Sequence, residues 1–132
     1  MARRIIIDTD PGVDDAIAIL MAFASPELEV LGLTAVAGNV PLARTEANAR
    51  RICELAGRRD MPVFAGCAQP LQRPLRTATV AHGESGMNGA TLPEPEMTLQ
   101  PRHAVDWLIE RVMASDSADI TICAIGPLTN LA

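Results

Sequence analysis

The chain has no lysine and no tyrosine among its 132 residues, and its aromatic content is 2%, supplied by Phe23, Phe64 and Trp107. All 11 basic residues are therefore arginines, spread along the chain against 16 acidic residues for a formal charge of −5. A basic patch matched to phosphates is missing, which argues against a nucleic-acid partner. The cysteines, Cys53, Cys67 and Cys123, are odd in number, widely spaced and without a Cys-x-x-Cys pair. Neither a disulfide framework nor a zinc site is expected from them, and a reducing compartment fits best. No apolar run approaches membrane-spanning length, and three isoleucines after Arg3-Arg4 are too few for a signal peptide. A cytoplasmic protein without membrane contact is expected.

A hydrophobic content of 48% and this length support one domain with its own core. Ile5 to Ile7 is a continuous apolar run ending in acids, the pattern of a strand buried on both faces. Val13 to Ala24 reads as a helix, with Ala16, Ile17, Ile19, Leu20 and Phe23 mostly apolar and Ser25-Pro26 as its stop. Glu29 to Ala37 reads as a second buried strand, Leu42 to Ala56 as a helix stopped by Gly57, and Met61 to Ala65 as a third strand. Residues 67–100 are rich in glycine and proline, and a connection this long is usually functional or disordered. Pro101 to about Ser115 reads as a helix with an apolar face of Ala104, Val105, Leu108, Ile109 and Val112. Asp119 to Ile125 then reads as a strand that holds Cys123 as a small buried residue, and Gly126 to Asn130 as a turn into another helix.

Alternating strands and helices predict an α/β fold, an open and mainly parallel Rossmann-like sheet with flanking helices. Ligands of such sheets bind beyond the carboxyl ends of the strands. That rule gathers Asp8 to Asp15, Gly38-Asn39 and Ile125 to Asn130.

Asp8-Thr9-Asp10-Pro11-Gly12-Val13-Asp14-Asp15 places four carboxylates in eight residues at a strand end. Such a cluster repels itself, and burial sharpens the repulsion unless a cation neutralises it. Oxygen ligands without neighbouring His or Cys select a hard ion, Ca²⁺ or Mg²⁺. Helix capping explains Asp14 or Asp15 but not all four. An EF-hand fails, because Gly12 and Ile19 would fall at its fifth and twelfth positions, where ligands belong.

The Asp8 to Asp15 motif resembles, residue for residue, the signature of the inosine-uridine preferring nucleoside hydrolase family. Val36-Ala37-Gly38-Asn39-Val40, His82-Gly83-Glu84-Ser85-Gly86-Met87-Asn88-Gly89 and Ile125-Gly126-Pro127-Leu128-Thr129-Asn130 are similar to the same family in the same order. The resemblance implies the nucleoside hydrolase fold and Ca²⁺-dependent hydrolysis of the N-glycosidic bond of ribonucleosides to base and ribose. It implies Asp10 as a calcium ligand and general base, Asp15 as a bidentate ligand, and Ile125 as a ligand through its backbone carbonyl. It further implies Asp14 and Asn39 on ribose hydroxyls, His82 as a substrate contact, and Asp8 supporting loop and metal from behind the ligands. A homodimer or homotetramer is implied as well.

Members of that family are more than twice as long. Residues 1–132 are therefore expected to be the N-terminal part of a single domain whose C-terminal half, with the leaving-group residue and another calcium carboxylate, is absent. The chain alone is expected to be inactive. Asn88 departs from the family's acid at its position. His103 reads as a solvated residue of a helix's first turn. Two other readings stand beside this one. An apolar strand ending in Asp8-x-Asp10 also opens haloacid dehalogenase-like phosphatases, although Pro11-Gly12 replaces their usual following pair. A non-catalytic calcium- or ribose-binding domain is the second.

Overall fold

A computed structural model describes residues 1–116 and 119–132. Its order is β1 (Arg3–Thr9), α1 (Val13–Ala24), β2 (Leu28–Ala35), α2 (Leu42–Leu55), β3 (Val63–Ala65), the single turn α3 (Thr79–His82), α4 (Ala104–Met113), β4 (Ile120–Ala124) and a 3₁₀ turn at Leu128–Asn130. The strands form one parallel sheet in the order β3-β2-β1-β4. The chain thus builds outward from β1 in one direction and then returns to its other side. The crevice at the carboxyl ends of β1 and β4 is the point where strand order reverses, as the sequence pattern anticipates.

Alternation along the strands sorts their side chains to two faces. Ile5, Ile7, Leu33 and Val63 pack with Ala16 and Ile19 of α1 and with Ala49, Ile52 and Cys53 of α2. Burial pushes the Cys53 thiol up to about 12, so it serves as a small apolar filler. On the opposite face Trp107 of α4 stacks on Phe64, ring centroids 4.2 Å apart. A Cβ at Gly32 would lie 2.8 Å from the Trp107 ring, so a side chain there would displace the indole.

α2 ends in a hydrogen-bonded cap. Gly57, at φ 70°, donates to the Glu54 carbonyl at 3.0 Å, and Arg58 donates to the Cys53 carbonyl at 2.8 Å. The long connection after β3 is held along the same helix. Arg50 donates to the Met97 carbonyl at 2.7 Å, Arg51 to the Pro93 carbonyl at 3.1 Å, and Glu54 accepts from Glu96 and Met97 N–H at 2.7 and 2.6 Å.

Several expectations shift. β1 runs on through Asp8 and Thr9, and β3 is shorter than Met61 to Ala65. α4 begins at Ala104 and not at Pro101, because His103 caps it, its Nδ1 accepting from Val105 N–H at 3.3 Å. That helix buries only Ala104 and Leu108, leaving Ile109 and Val112 exposed. β4 is an edge strand, so Cys123 is half-buried and not enclosed.

Candidate active site

β1 delivers the acids in two different settings. Asp8, on the strand's α4-side face, is fully buried. Its Oδ1 accepts from Thr34 Oγ1 at 2.5 Å and from Asn130 Nδ2 at 2.8 Å. Burial raises its pKa, and those two hydrogen bonds oppose the rise. Asp8 Oδ2 and Thr9 Oγ1 are buried without a hydrogen-bond partner among the described residues. Asn130 also accepts from Cys67 N–H at 2.8 Å and donates to the Ala35 carbonyl at 3.2 Å. Asp8 therefore ties β1 to β2 and to the 3₁₀ turn from behind the crevice.

Asp10 faces the crevice itself. Asn39 N–H donates to Asp10 Oδ2 at 2.7 Å, and Asn39 Nδ2 donates to the Asp10 carbonyl at 3.0 Å. The carboxylate is cradled by two glycines. A Cβ at Gly38 would lie 2.8 Å from Asp10 Cγ, and one at Gly126 would lie 3.0 Å from Asp10 Oδ1. Ile125 and Gly126 are held beside β1 by N–H bonds to the Asp8 carbonyl at 2.9 and 3.2 Å. The Ile125 side chain is exposed, so its backbone is the part fixed at the site.

Asp15, one turn into α1, is buried and accepts from Gly12 N–H at 3.2 Å, capping its own helix. Capping and a place in the acidic cluster thus coincide in one residue. Burial pushes Asp15 up to about 6, with the Asp10 and Asp14 charges adding to the rise. Asp10 is raised as well, chiefly by burial, against the opposing Asn39 N–H. Asp14 is exposed at the mouth.

His82 ends α3 and lies over the loop. A Cβ at Gly12 would meet His82 Nδ1 at 2.7 Å and Asn39 Nδ2 at 3.2 Å. Its charge opposes the rise at both Asp10 and Asp15. The structure thus gathers Asp10, Asp14, Asp15, Asn39 and His82 around Gly12, with Ile125 on the β4 side. Asn88 instead turns back on its own segment, donating to the Ala81 carbonyl at 3.4 Å.

Asp10 and Asp15 supply buried carboxylate oxygens in a setting that penalises their charge. In kind this donor set suits a hard divalent cation. In number it is short: among the described residues no three His, Cys, Asp or Glu side chains converge to hold a metal. Sequence reasoning gave no role to three braces, Thr34, Asn48 and Asn130, all buried polar residues. Asn48 carried a readable signal, a polar side chain in line with Thr45, Ala49 and Ile52 on the buried face of α2.

Comparison with known proteins gives the family. Residues 5–132 match the family model of the inosine-uridine preferring nucleoside hydrolases. The chain is 48% identical to the pyrimidine-specific ribonucleoside hydrolase RihA of Photobacterium profundum, over 100% of this chain and 42% of that protein. It is 44% identical to the inosine-uridine preferring nucleoside hydrolase of Leishmania major over the same two shares, 100% and 42%. Its fold superposes on the purine-preferring ribonucleoside hydrolase of Gardnerella vaginalis with a TM-score of 0.90 at 30% identity, covering 97% of this chain and 42% of that one. The chain spans about 42% of the length of these relatives. With its motif, fold and carboxylate crevice in agreement, the chain belongs to the inosine-uridine preferring nucleoside hydrolase family.

Proposed function

We propose that residues 1–132 form the cation- and ribose-binding part of a single nucleoside hydrolase domain that cleaves the N-glycosidic bond of ribonucleosides. The observation that carries this reading is the pairing of Asp10 and Asp15 under Gly12, with Asn39 and His82 on the same rim. Calcium is the proposed cation, held by Asp10, Asp15 and the Ile125 carbonyl, with further oxygens from outside this chain. When bound, it supplies orientation of a water and of the ribose diol. Asp10 takes the proton of the attacking water, its carboxylate held in line by Asn39 N–H. Asp14 and the Asn39 amide receive ribose hydroxyls, since Asn39 Nδ2 is committed to Asp10 and its carbonyl oxygen is the side-chain atom left to meet a hydroxyl. His82 walls the base side. Asp8 holds the strand end rigid.

A cleavage passing through an oxocarbenium-like ribosyl also needs a donor on the departing base. The family resemblance puts that donor outside residues 1–132, so the isolated chain is proposed to be inactive. The free thiols Cys53, Cys67 and Cys123 suit the proposed cytoplasmic setting. No helix among the described residues is long and apolar enough to cross a membrane. A homodimer or homotetramer remains part of the proposal. Against a phosphatase reading stands the enclosure of Asp8, which leaves that carboxylate no approach to a phosphoester.

The test is a chimera joining residues 1–132 to the C-terminal half of the Photobacterium enzyme. Ribose release from uridine and inosine is expected, with the loss of at least about a thousandfold in Asp10→Ala while the fold persists. Calcium and ribose binding without turnover in that chimera would favour a binding-only domain. Ribose release by the 132-residue chain alone would refute the division of labour proposed here.

A further inference from the structure

We infer that Asn48 is a positioning residue that docks the His82 segment onto the carboxylate loop. Asn48 lies on α2, outside every motif of the crevice, and is fully buried. Its amide nitrogen donates to the Pro11 carbonyl at 3.3 Å and to the Ser85 carbonyl at 2.8 Å. Its Oδ1 accepts from Arg51 Nη1 at 2.9 Å, which fixes which way the amide faces. Pro11 sits between Asp10 and Gly12, and Ser85 lies three residues beyond His82. One side chain therefore bridges the loop that carries the acids and the segment that carries the histidine.

The surroundings are shaped for this bridge. Gly86, at φ 80°, is buried, and a Cβ there would lie 3.0 Å from Asn48 Nδ2 and 3.4 Å from the Pro11 carbonyl oxygen. Asn88 N–H donates to the His82 carbonyl at 3.0 Å and Gly86 N–H to the Gly83 carbonyl at 3.2 Å, so residues 82–88 are tied into one loop. A leucine of similar size would suit the apolar stripe of α2 but would leave the buried Pro11 carbonyl and the part-buried Ser85 carbonyl without this donor. The hydrogen bonds, and not the bulk, are what the position needs. The inference rests on the proposed function only for why His82 must stay over Gly12; the docking itself stands on geometry.

The experiment uses the 132-residue chain, with Asn48→Ala and the near-isosteric Asn48→Asp, which keeps the volume and loses both N–H donors. In the wild type, NMR should detect a nuclear Overhauser contact between the His82 ring and the Gly12 α-protons, as well as between Trp107 and Gly32. Both variants are expected to lose the first contact and keep the second. Amides of residues 86–88 should exchange about tenfold faster or more, with β1 and β2 amides unchanged. Retention of the His82–Gly12 contact in Asn48→Asp, or equal acceleration everywhere, would overturn the inference. If both variants fail to fold, wild-type exchange decides: Gly86 to Asn88 and the Gly12 to Ala16 turn must open together, and independent opening refutes docking. A calcium titration of the wild type tests the functional reading separately, since a silent titration counts against the cation site and leaves the His82–Gly12 contact to judge Asn48.

Discussion

At the scale of single residues, the site is built by withholding space and water from charge. Gly38 and Gly126 close on the Asp10 carboxylate, and Gly12 gives up its side chain to His82 and Asn39. Burial then raises the pKa of Asp8, Asp10 and Asp15, so the cation-free chain carries a cost that grows with deprotonation. Asp15 moves from 3.8 to about 6, which sets the direction and the window. Its folded-state pKa lies above its unfolded value, so the favourable contribution is whole below about 4 and is lost as pH rises through about 6. The loss by neutral pH is at most about 3 kcal/mol. Asp15→Asn keeps an acceptor for Gly12 N–H and removes the charge. Urea unfolding of the metal-free chain should therefore give a shallower loss of stability between about pH 4 and pH 7 in the variant than in the wild type. Added calcium at neutral pH should raise the wild-type midpoint and leave Asp15→Asn unmoved. Identical pH slopes would show that Asp15 is not the group under strain.

At the scale of elements, α2 does more than cover the sheet. Its outer flank carries Arg50, Arg51 and Glu54, and these hold the backbone of residues 93–97. Glu54 is the strongest of the three anchors, because one carboxylate oxygen takes two backbone N–H groups. Glu54→Ala should free this strap at a cost of about 1–2 kcal/mol and expose it to limited proteolysis within residues 92–98, ahead of any cut in α2. Cleavage at the wild-type rate would remove the strap's assigned role. The strap also explains what sequence could and could not reveal. Strands and helices of residues 3–55 were legible because Ile5 to Ile7 and Ala16 to Phe23 carry strong apolar patterns. The acids and Asn39 were legible because their motif and the strand-end rule agree, and His82 from its motif alone. Residues 67–100 read only as a loop, since their order depends on Arg50, Arg51 and Glu54 some 40 positions earlier in the chain. Asn48 and Asn130 were legible only as positions, a polar residue on the buried face of α2 and the end of a strand-end segment: the carbonyls and amides each satisfies are distant in sequence, and no local pattern names them.

At the scale of the molecule, apolar surface is distributed unevenly. Val13, Ile17 and Met21 form one stripe of α1 and are 42%, 55% and 68% exposed. A groove of about 400 Å³ runs beside this stripe, between α1 and the edge strand, and is lined by Ile5, Ile7, Ala18, Met21, Cys123 and Ile125. Leu128 of the 3₁₀ turn is exposed as well. β4 has an open edge with the sequence Ile-Thr-Ile-Cys-Ala, which offers unpaired backbone groups and no charge to discourage pairing. A contiguous apolar face beside such an edge promotes association in water. The isolated chain is therefore expected to bind a hydrophobic dye and to elute at a size that grows with its concentration. The double variant Ile17→Glu with Met21→Glu charges the stripe without touching the core, which uses Ala16, Ile19 and Ala22 of the same helix. It should suppress both behaviours and change unfolding stability by no more than about 0.5 kcal/mol. A monomeric, dye-silent wild type would show that the groove closes on itself, and a large loss of stability in the double variant would show that Ile17 and Met21 belong to the core after all.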